Sequence, residues 1–367
     1  MSLETILLYG PPFIIILSVV VFVHEYGHYW VARRNGVKVE VFSIGFGREL
    51  FGIHDKAGTR WKFSLIPLGG YVKMLGDADA SSSHADPEHS GEPNAFPSKS
   101  VWQRMAIVVA GPAANFLFAI LVLALLYGIS GRPFAAPTVG NVFEDGAAAE
   151  AGIETGDRIV AINGQPMETF ADLQGIVQNS ADVPLQLTIR RDEQEFGVTV
   201  TPKLRDIEGQ EIGLIGVEPG APDFRRLGPV EAIFDAGQDT YRMVTLTLGA
   251  VGEMIVGSRG TDELGGPLRI AQMAGDVAQQ GFQEVVWFTA ILSINLGLIN
   301  LFPVPMLDGG HLVMYAIEAG RGRPLTERAQ EIAFRFGLAM VLTLMVFATW
   351  NDLVHLNVIE FFSGLIS

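Results

Sequence analysis

Long uncharged runs of apolar residues divide the chain and predict membrane-spanning helices. The runs cover residues 5–23, 105–131, 285–307 and 336–351. A helix needs about 20 apolar residues to cross the hydrocarbon core of a bilayer, and the fourth run falls short of this length. The pattern predicts a polytopic α-helical membrane protein with about four transmembrane helices.

The first run is expected to remain in the mature protein. It follows the acidic Glu4, where a signal peptide carries basic residues, and it continues into His24 and Glu25 instead of a small-residue cleavage site. We therefore interpret residues 1–33 as the first transmembrane helix.

Shorter periodic elements follow the second run and predict an inserted α+β domain at residues 132–204. The predicted strands and helices cover residues 138–143, 146–151, 171–179, 185–190 and 195–202. A Gly156-Asp157 turn precedes a further apolar strand, and this order resembles a PDZ domain. Such modules bind an extended peptide along a strand edge. The alternative is a small packing domain that binds no ligand.

The remaining segments complete the predicted organisation. Residues 34–104 are predicted to form a cytoplasmic loop with β-like stretches and many glycines. Within this loop, residues 77–98 predict a mobile segment in which His84 and His89 are solvated, since nothing nearby has metal-ligand spacing. Residues 205–284 form a linker with an amphipathic helix near 243–256 that lies on the membrane. The third and fourth transmembrane regions are assigned to residues 285–318 and 319–367.

Composition supports the membrane assignment and excludes several kinds of site. Apolar residues make up 49% and charged residues 18% of the chain, and mean hydropathy is +0.32. Soluble domains contain about 25% charged residues. Because there are no cysteines, disulfides, cysteine nucleophiles and thiolate metal sites are excluded, and a metal would need His, Asp or Glu ligands. The net charge of −15 makes nucleic acid an improbable partner.

The distribution of charge predicts an orientation in the membrane. Residues 131–284 contain 24 acidic and 11 basic residues, whereas residues 33–104 contain ten Lys and Arg, and four more arginines lie at 321–335. Short basic loops stay in the cytoplasm. Both termini and the inserted domain are therefore predicted on the extracytoplasmic side.

The end of the first run carries the pattern His-Glu-x-x-His. His24 and His28 are four residues apart and share one face of a helix, so both imidazoles can bind one Zn²⁺. Glu25 beside them can accept a proton from water. The alternative is a pair of interfacial histidines that interact with Glu25. Ionisable groups at membrane depth are costly, which favours the functional interpretation.

Asp308 is the predicted third ligand. It is the only acidic residue between Glu284 and Glu318. Irregular backbone is predicted around it, because Pro303 and Pro305 precede Asp308 and two glycines follow it. Irregular backbone at this depth is tolerated where it lines a polar cavity. The alternative is a helix cap at the membrane interface.

These motifs and their order resemble the site-2 protease family of intramembrane zinc metalloproteases, especially the bacterial sigma-E regulator proteases. The resemblance also includes Gly111-Pro-Ala-Ala-Asn115 in the second run. The sequence from Pro67 to Met74 resembles the membrane-associated β-hairpin of the family, which implies a small membrane-associated β-hairpin region in residues 34–104. The best-known bacterial member of the family carries two PDZ domains, whereas only one is predicted from this sequence.

The resemblance implies the roles of individual residues. His24, His28 and Asp308 bind zinc, and Glu25 is the general base. Substrate contacts are assigned to the following residues: Asn295, Asn300, Gly70, Tyr71 and Val72. Interhelical hydrogen bonding is the alternative for the two asparagines. Asn115 and the small residues before it are interpreted as allowing close helix packing.

The resemblance also implies the substrates and location. The expected substrate is the transmembrane helix of a single-span protein in the bacterial inner membrane. Anti-sigma-factor-type regulators after a first cut, and remnant signal peptides, belong to this class. A non-proteolytic scaffold that binds peptide ends through the PDZ module is the alternative, as is an ion transporter. Glu25 argues against a scaffold, and the chain shows no internal repeat of the kind that many transporters carry.

Overall fold

The computed structural model describes residues 3–76, 91–207, 210–260 and 265–355. His84 and His89 lie outside these residues, as do the other predictions for residues 77–90 and for the chain beyond 355. The chain divides into two compact units. The helical unit comprises Met1–Leu126 and Pro229–Ser367, and the inserted unit comprises Tyr127–Gly228.

The bounds of the elements are as follows in the described part of the chain. The helices are α1 Leu3–Arg34, α2 Val101–Ile129, α3 Ala147–Glu150, α4 Phe170–Gln178, α5 Pro229–Val256, α6 Pro267–Gln280, α7 Phe282–Asn300, α8 Asp308–Arg321 and α9 Glu327–His355. The strands are β1 Val39–His54, β2 Arg60–Met74, β3 Arg132–Phe134, β4 Val139–Val142, β5 Arg158–Ile162, β6 Gln165–Pro166, β7 Leu185–Arg191, β8 Gln194–Val200, β9 Lys203–Ile207, β10 Gln210–Leu214, β11 Val217–Pro219 and β12 Asp223–Arg225.

Four helices, α1, α2, α7 and α9, are long and apolar enough to cross a membrane. They include the four predicted apolar runs, except that α2 ends before residues 130–131 and α7 ends before residues 301–307. On α2, Leu117, Leu121 and Leu125 are more than half exposed, whereas Ala119 and Leu123 are fully buried. An exposed leucine stripe opposite a buried stripe is the pattern of a helix that packs on protein with one face and on lipid with the other.

The β1–β2 sheet packs against the second half of α1. Ala32 of α1 shares a buried core with Val39 and Phe42 of β1 and Val72 of β2. Residues 41–44 of β1 have β2 partners on both sides, as when Ile44 pairs with both Phe63 and Gly70. Among the described residues, β1 is the only strand neighbour of residues 70–73, which therefore form an edge of the sheet.

The inserted unit has a four-stranded sheet in the order β6-β5-β7-β8, with antiparallel pairing. Its core contains Ile159, Ile162, Leu173, Leu187 and Ile189, each at most 1% exposed. The elements follow the predicted order, with bounds within two residues of the prediction. The unit extends past the predicted boundary at residue 204, because β11 pairs with β4 and β12 pairs with β3.

The segment predicted as a linker contains two helices. α5 covers the predicted interfacial helix but begins earlier, at Pro229. α6 was not predicted. Its Ala274 is fully buried with Ile16 of α1 and Phe288 of α7, so α6 packs on two of the four apolar helices.

Candidate metal centre

Two histidines of α1 lie on the same face of the helix. His24 and His28 are 8% and 9% exposed, and their Nε2 atoms are 3.2 Å apart. A spacing of four residues is slightly more than one helical turn, which places one imidazole above the other. Because α1 continues to Arg34, both histidines lie within regular helix.

Asp308 reaches this pair from the start of α8. α7 ends at Asn300, and the following segment contains Pro303 and Pro305, which cannot donate backbone hydrogen bonds. Asp308 Oδ2 lies 3.2 Å from His24 Nε2 and 3.4 Å from His28 Nε2. The structure thus brings together the three residues that the sequence predicts as ligands.

Glycines allow α8 to begin close to the irregular segment. A Cβ atom at Gly309 would overlap the carbonyl oxygens of Leu301 and Phe302, and a Cβ atom at Gly310 would overlap that of Val304. The two glycines therefore permit the tight return that places Asp308 beside α1.

The three donor atoms fit a zinc ion. A tetrahedral Zn²⁺ with bonds of 2.0–2.1 Å to N and O separates its ligand atoms by about 3.3–3.4 Å. The observed separations are 3.2, 3.2 and 3.4 Å. Asp308 Oδ2 is buried and accepts no hydrogen bond from the described residues. A buried carboxylate charge is costly unless a positive charge compensates it, and a cation between these three atoms would do so.

The outer nitrogens of both imidazoles face hydrogen-bonding groups of α2. His28 Nδ1 lies 2.9 Å from the carbonyl oxygen of Ile107, and His24 Nδ1 lies 3.3 Å from the side-chain amide of Asn115. Metal-binding histidines commonly use their second nitrogen in this way, which orients the ring.

Small residues bring α2 against α1 at this level. A Cβ atom at Gly27 would overlap the carbonyl oxygen of Ala110, and a Cβ atom at Gly111 would overlap the imidazole of His28. The predicted close packing of the Gly111-to-Asn115 motif is therefore observed, and it occurs beside the histidines.

A cavity of about 610 Å³ connects the predicted site residues. Its lining includes the following predicted residues: His24, Glu25, His28, Gly70, Tyr71, Val72, Asn300 and Asp308. Glu25 is 9% exposed, and a Cβ atom at Gly70 would come within 3.0 Å of its Cγ. The edge of the β1–β2 sheet therefore passes directly beside Glu25.

Asn295 is half-buried on α7 and is not among the described residues that line this cavity. Its assignment as a substrate-binding residue stays a prediction. His311, one turn after Asp308 on α8, does line the cavity, although the sequence analysis gave it no role. The contact between Asn115 and His24 was also missed, because a sequence motif does not show which neighbour a buried amide meets.

The model of peptidase family M50, the site-2 proteases, matches residues 12–344. The chain belongs to peptidase family M50. This confirms the resemblance found in the sequence. It also confirms that the protein is a zinc metalloprotease and a membrane protein.

Relatives from several bacteria resemble this M50 protein over nearly its whole length. "Putative zinc metalloprotease Atu1380" of Agrobacterium fabrum is 46% identical, over 95% of this chain and 96% of its own length. "Putative zinc metalloprotease R01501" of Rhizobium meliloti is 45% identical over 94% and 96%. "Metalloprotease MmpA" of Caulobacter vibrioides is 38% identical over 95% and 96%.

Solved PDZ domains resemble a smaller part of the chain. The PDZ domain of an SdrC-like protein from Listeria monocytogenes is 16% identical, covering 23% of this chain and 88% of its own, with a TM-score of 0.21. That of an SdrC-like protein from Listeria innocua is 19% identical, covering 24% and 99%, with a TM-score of 0.21. Likenesses of this extent do not establish a fold.

Proposed function

We propose that this M50 protein cleaves transmembrane helices of single-span proteins, with His24, His28 and Asp308 as the zinc ligands. The observation that supports this assignment most directly is the triangle of Nε2, Nε2 and Oδ2 atoms with sides of 3.2–3.4 Å. The triangle joins α1 and α8, which belong to the same helical unit. The α1 histidines lie within a helix that is apolar enough to cross the membrane.

Glu25 carries the proton in this proposal. Bound zinc would polarise the scissile carbonyl and make nearby water more acidic. The Glu25 carboxylate accepts a proton from the attacking water as the new C–O bond forms, and it delivers that proton to the amine nitrogen as the C–N bond breaks. Its position in the cavity that His24, His28 and Asp308 also line supports this role.

The edge of the β1–β2 sheet offers a binding surface for an unwound substrate. A substrate helix bonds its own backbone groups, so local unwinding must precede cleavage. Residues 70–73 have an unpaired strand edge within the described structure, and Gly70, Tyr71 and Val72 line the cavity. Pairing there would replace hydrogen bonds lost on unwinding. Asn300 lines the same cavity and can bond to exposed substrate backbone, and Asn295 is assigned the same role by resemblance.

The inserted unit is proposed as a PDZ-type filter on the extracytoplasmic side. The resemblance supports this role and a place in the inner membrane, with both termini outside the cytoplasm. Substrates with bulky outer domains would be excluded until a first protease trims them, as expected for anti-sigma-factor-type regulators. Remnant signal peptides already have small outer parts and would enter directly.

The central test is cleavage of single-span test helices by the purified chain in detergent. Glu25→Gln is expected to keep zinc and lose at least about 10²-fold in rate, the usual contribution of general acid–base catalysis. Asp308→Ala is expected to lose zinc, and a chelator should stop the wild-type enzyme reversibly. Glu327→Gln, at an exposed position on α9, is the matched control. Cleavage by Glu25→Gln at the wild-type rate would contradict the proposal.

A further inference from the structure

The two histidines differ in what their outer nitrogens meet. His28 Nδ1 lies 2.9 Å from the Ile107 carbonyl oxygen, which can only accept a hydrogen bond. His28 Nδ1 must therefore carry the proton, and in the neutral ring Nε2 keeps its lone pair. This is the tautomer that a metal-binding Nε2 requires.

The partner of His24 Nδ1 is an amide, which can either donate or accept. Asn115 is fully buried, with Nδ2 placed 3.3 Å from His24 Nδ1 and Oδ1 left without a hydrogen-bond partner in the described structure. If Nδ2 donated to Nδ1, the ring proton would lie on His24 Nε2. A protonated Nε2 could not bind a metal beside Asp308.

Exchanging the positions of Oδ1 and Nδ2 gives the amide oxygen a donor and leaves His24 Nε2 free to bind a metal. The two atoms are nearly indistinguishable in shape, and their assignment follows from the hydrogen-bond network. With the amide turned by half a rotation, Oδ1 gains a donor in His24 Nδ1–H, and His24 Nε2 keeps its lone pair. Both histidines then adopt the same tautomer with Nε2 directed at Asp308 Oδ2.

We propose that Asn115 is a positioning residue for the zinc centre, which holds His24 in its metal-binding tautomer by accepting a hydrogen bond from Nδ1–H. The inference rests on the proposed ligand set. Contacts with α7 hold Asn115 itself. The Ser293 hydroxyl donates to its main-chain oxygen at 3.0 Å, and a Cβ atom at Gly297 would come within 3.2 Å of its Cβ. α7 thereby holds Asn115 of α2 in position beside His24 of α1.

The test is zinc affinity of the full-length protein in detergent, measured by competition with a chromophoric chelator. Asn115→Leu keeps most of the side-chain volume and removes the acceptor, and we expect zinc binding to weaken about 10–100-fold, as for other groups that orient metal ligands. Asn115→Asp keeps an acceptor and should bind zinc at least as tightly as the wild type. Leu121→Ala, at an exposed position on the same helix, is the control and should bind as the wild type.

The outcomes separate orientation from packing. Wild-type affinity in Asn115→Leu would overturn the inference, as would equal weakening in the Leu and Asp variants. Asn115→Ala replaces the Leu variant if the latter does not fold, as judged from helical circular dichroism and Tm. His28→Ala tests the ligand set separately. If it retains wild-type zinc affinity, the proposed function fails as well, whereas failure of the Asn115 variants alone leaves the ligand set standing.

Discussion

At the residue scale, the imidazole of His28 occupies the space that a side chain at position 111 would need. A Cβ atom at Gly111 would overlap Nε2 and Cε1 of that ring. The ring is also held by the Ile107 carbonyl, so it cannot move without losing a hydrogen bond. The glycine therefore determines whether His28 can reach Asp308.

Gly111→Ala is expected to displace His28 and weaken zinc binding by at least about tenfold, since overpacking a tight contact costs about 1–3 kcal/mol. Zinc titration of the purified protein measures the effect. Gly128→Ala on the same helix is the matched control, because a Cβ atom there meets nothing within 4 Å. Equal zinc affinity in both variants would show that the ring has room to adjust.

Asp157 is a buried carboxylate of the inserted unit. Its side chain is 1% exposed, and Arg191 Nε and Nη2 donate to its two oxygens at 2.7 and 2.8 Å. Burial raises the pKa of Asp157, but hydrogen bonds from Arg191 and from the Glu154 N–H, with the Arg191 charge, lower the pKa below its ordinary value. The charged form therefore stabilises the folded unit above the unfolded pKa of about 3.9, and this contribution is lost as pH falls through the lower folded-state pKa.

Asp157→Asn should destabilise the inserted unit by about 2 kcal/mol at pH 7, the size of a charged hydrogen bond. The difference from the wild type should shrink as pH falls below the unfolded pKa of about 3.9 and toward the lower folded-state pKa. Hydrogen exchange of β5 and β7 amides, corrected for intrinsic rates, measures it in the full chain. Asp182→Asn, at an exposed position, is the control. A difference that stays constant between pH 7 and pH 3 would contradict the assignment.

At the scale of elements, α6 is capped by a residue from another helix. Gly266 precedes α6 and offers no side-chain acceptor. Asp352 of α9 is 2% exposed and accepts hydrogen bonds from the N–H groups of Gly266, Leu268 and Arg269 at 2.8–3.1 Å. Because the first N–H groups of a helix have no partner within it, this carboxylate ties the start of α6 to α9.

Asp352→Ala should cost about 1–3 kcal/mol, because the N–H groups at the start of α6 lose a charged acceptor. We expect faster hydrogen exchange at Leu268 and Arg269, with little change in α7. Thr349→Ala, one turn away on α9, serves as the control. Unchanged exchange at the start of α6 would mean that the cap contributes little to holding the helix.

α6 is a helix that the long apolar runs of the sequence do not predict. Ile270, Ala274 and Val277 are spaced as on one helical face, and the structure packs them with Ile16 and Phe288. Arg269 and Asp276 interrupt this helix, so it does not form a long uncharged run. Amphipathic spacing was the available signal.

At the scale of the whole molecule, the distribution of charge predicts which parts face the cytoplasm. Ten Lys and Arg lie in residues 33–104 and four more arginines lie at 321–335, whereas residues 131–284 are strongly acidic. The chain has no cysteine, so single-cysteine variants carry one thiol each.

A membrane-impermeant maleimide added to intact spheroplasts should label Gln186→Cys on β7. Lys56→Cys and Arg323→Cys should react only after detergent is added, because the charge distribution predicts that both basic loops stay in the cytoplasm. All three positions are exposed, so accessibility within the protein does not separate them. Labelling of Lys56→Cys in intact spheroplasts would reverse the proposed orientation.

The sequence alone determined the features that depend on local spacing and composition. Four apolar helices, the His24–His28 pair and the order of elements at 138–204 follow from the periodicity and length of runs, because helix and strand geometry are set by neighbouring residues. The absence of cysteine limited the ligands to His, Asp and Glu. Asp308 stood out as an isolated acid in an apolar region, but the sequence did not give its distance from α1.

Contacts between residues far apart in the chain could not be deduced from the sequence. Four contacts join segments separated by tens to hundreds of residues. They are the 3.2 Å approach of Asp308 to His24, the contact of Asn115 with the same imidazole, the capping of α6 by Asp352 and the pairing of β11 with β4. Such contacts arise from the packing of whole helices and sheets, where the absence of a single Cβ atom sets how closely two backbones approach.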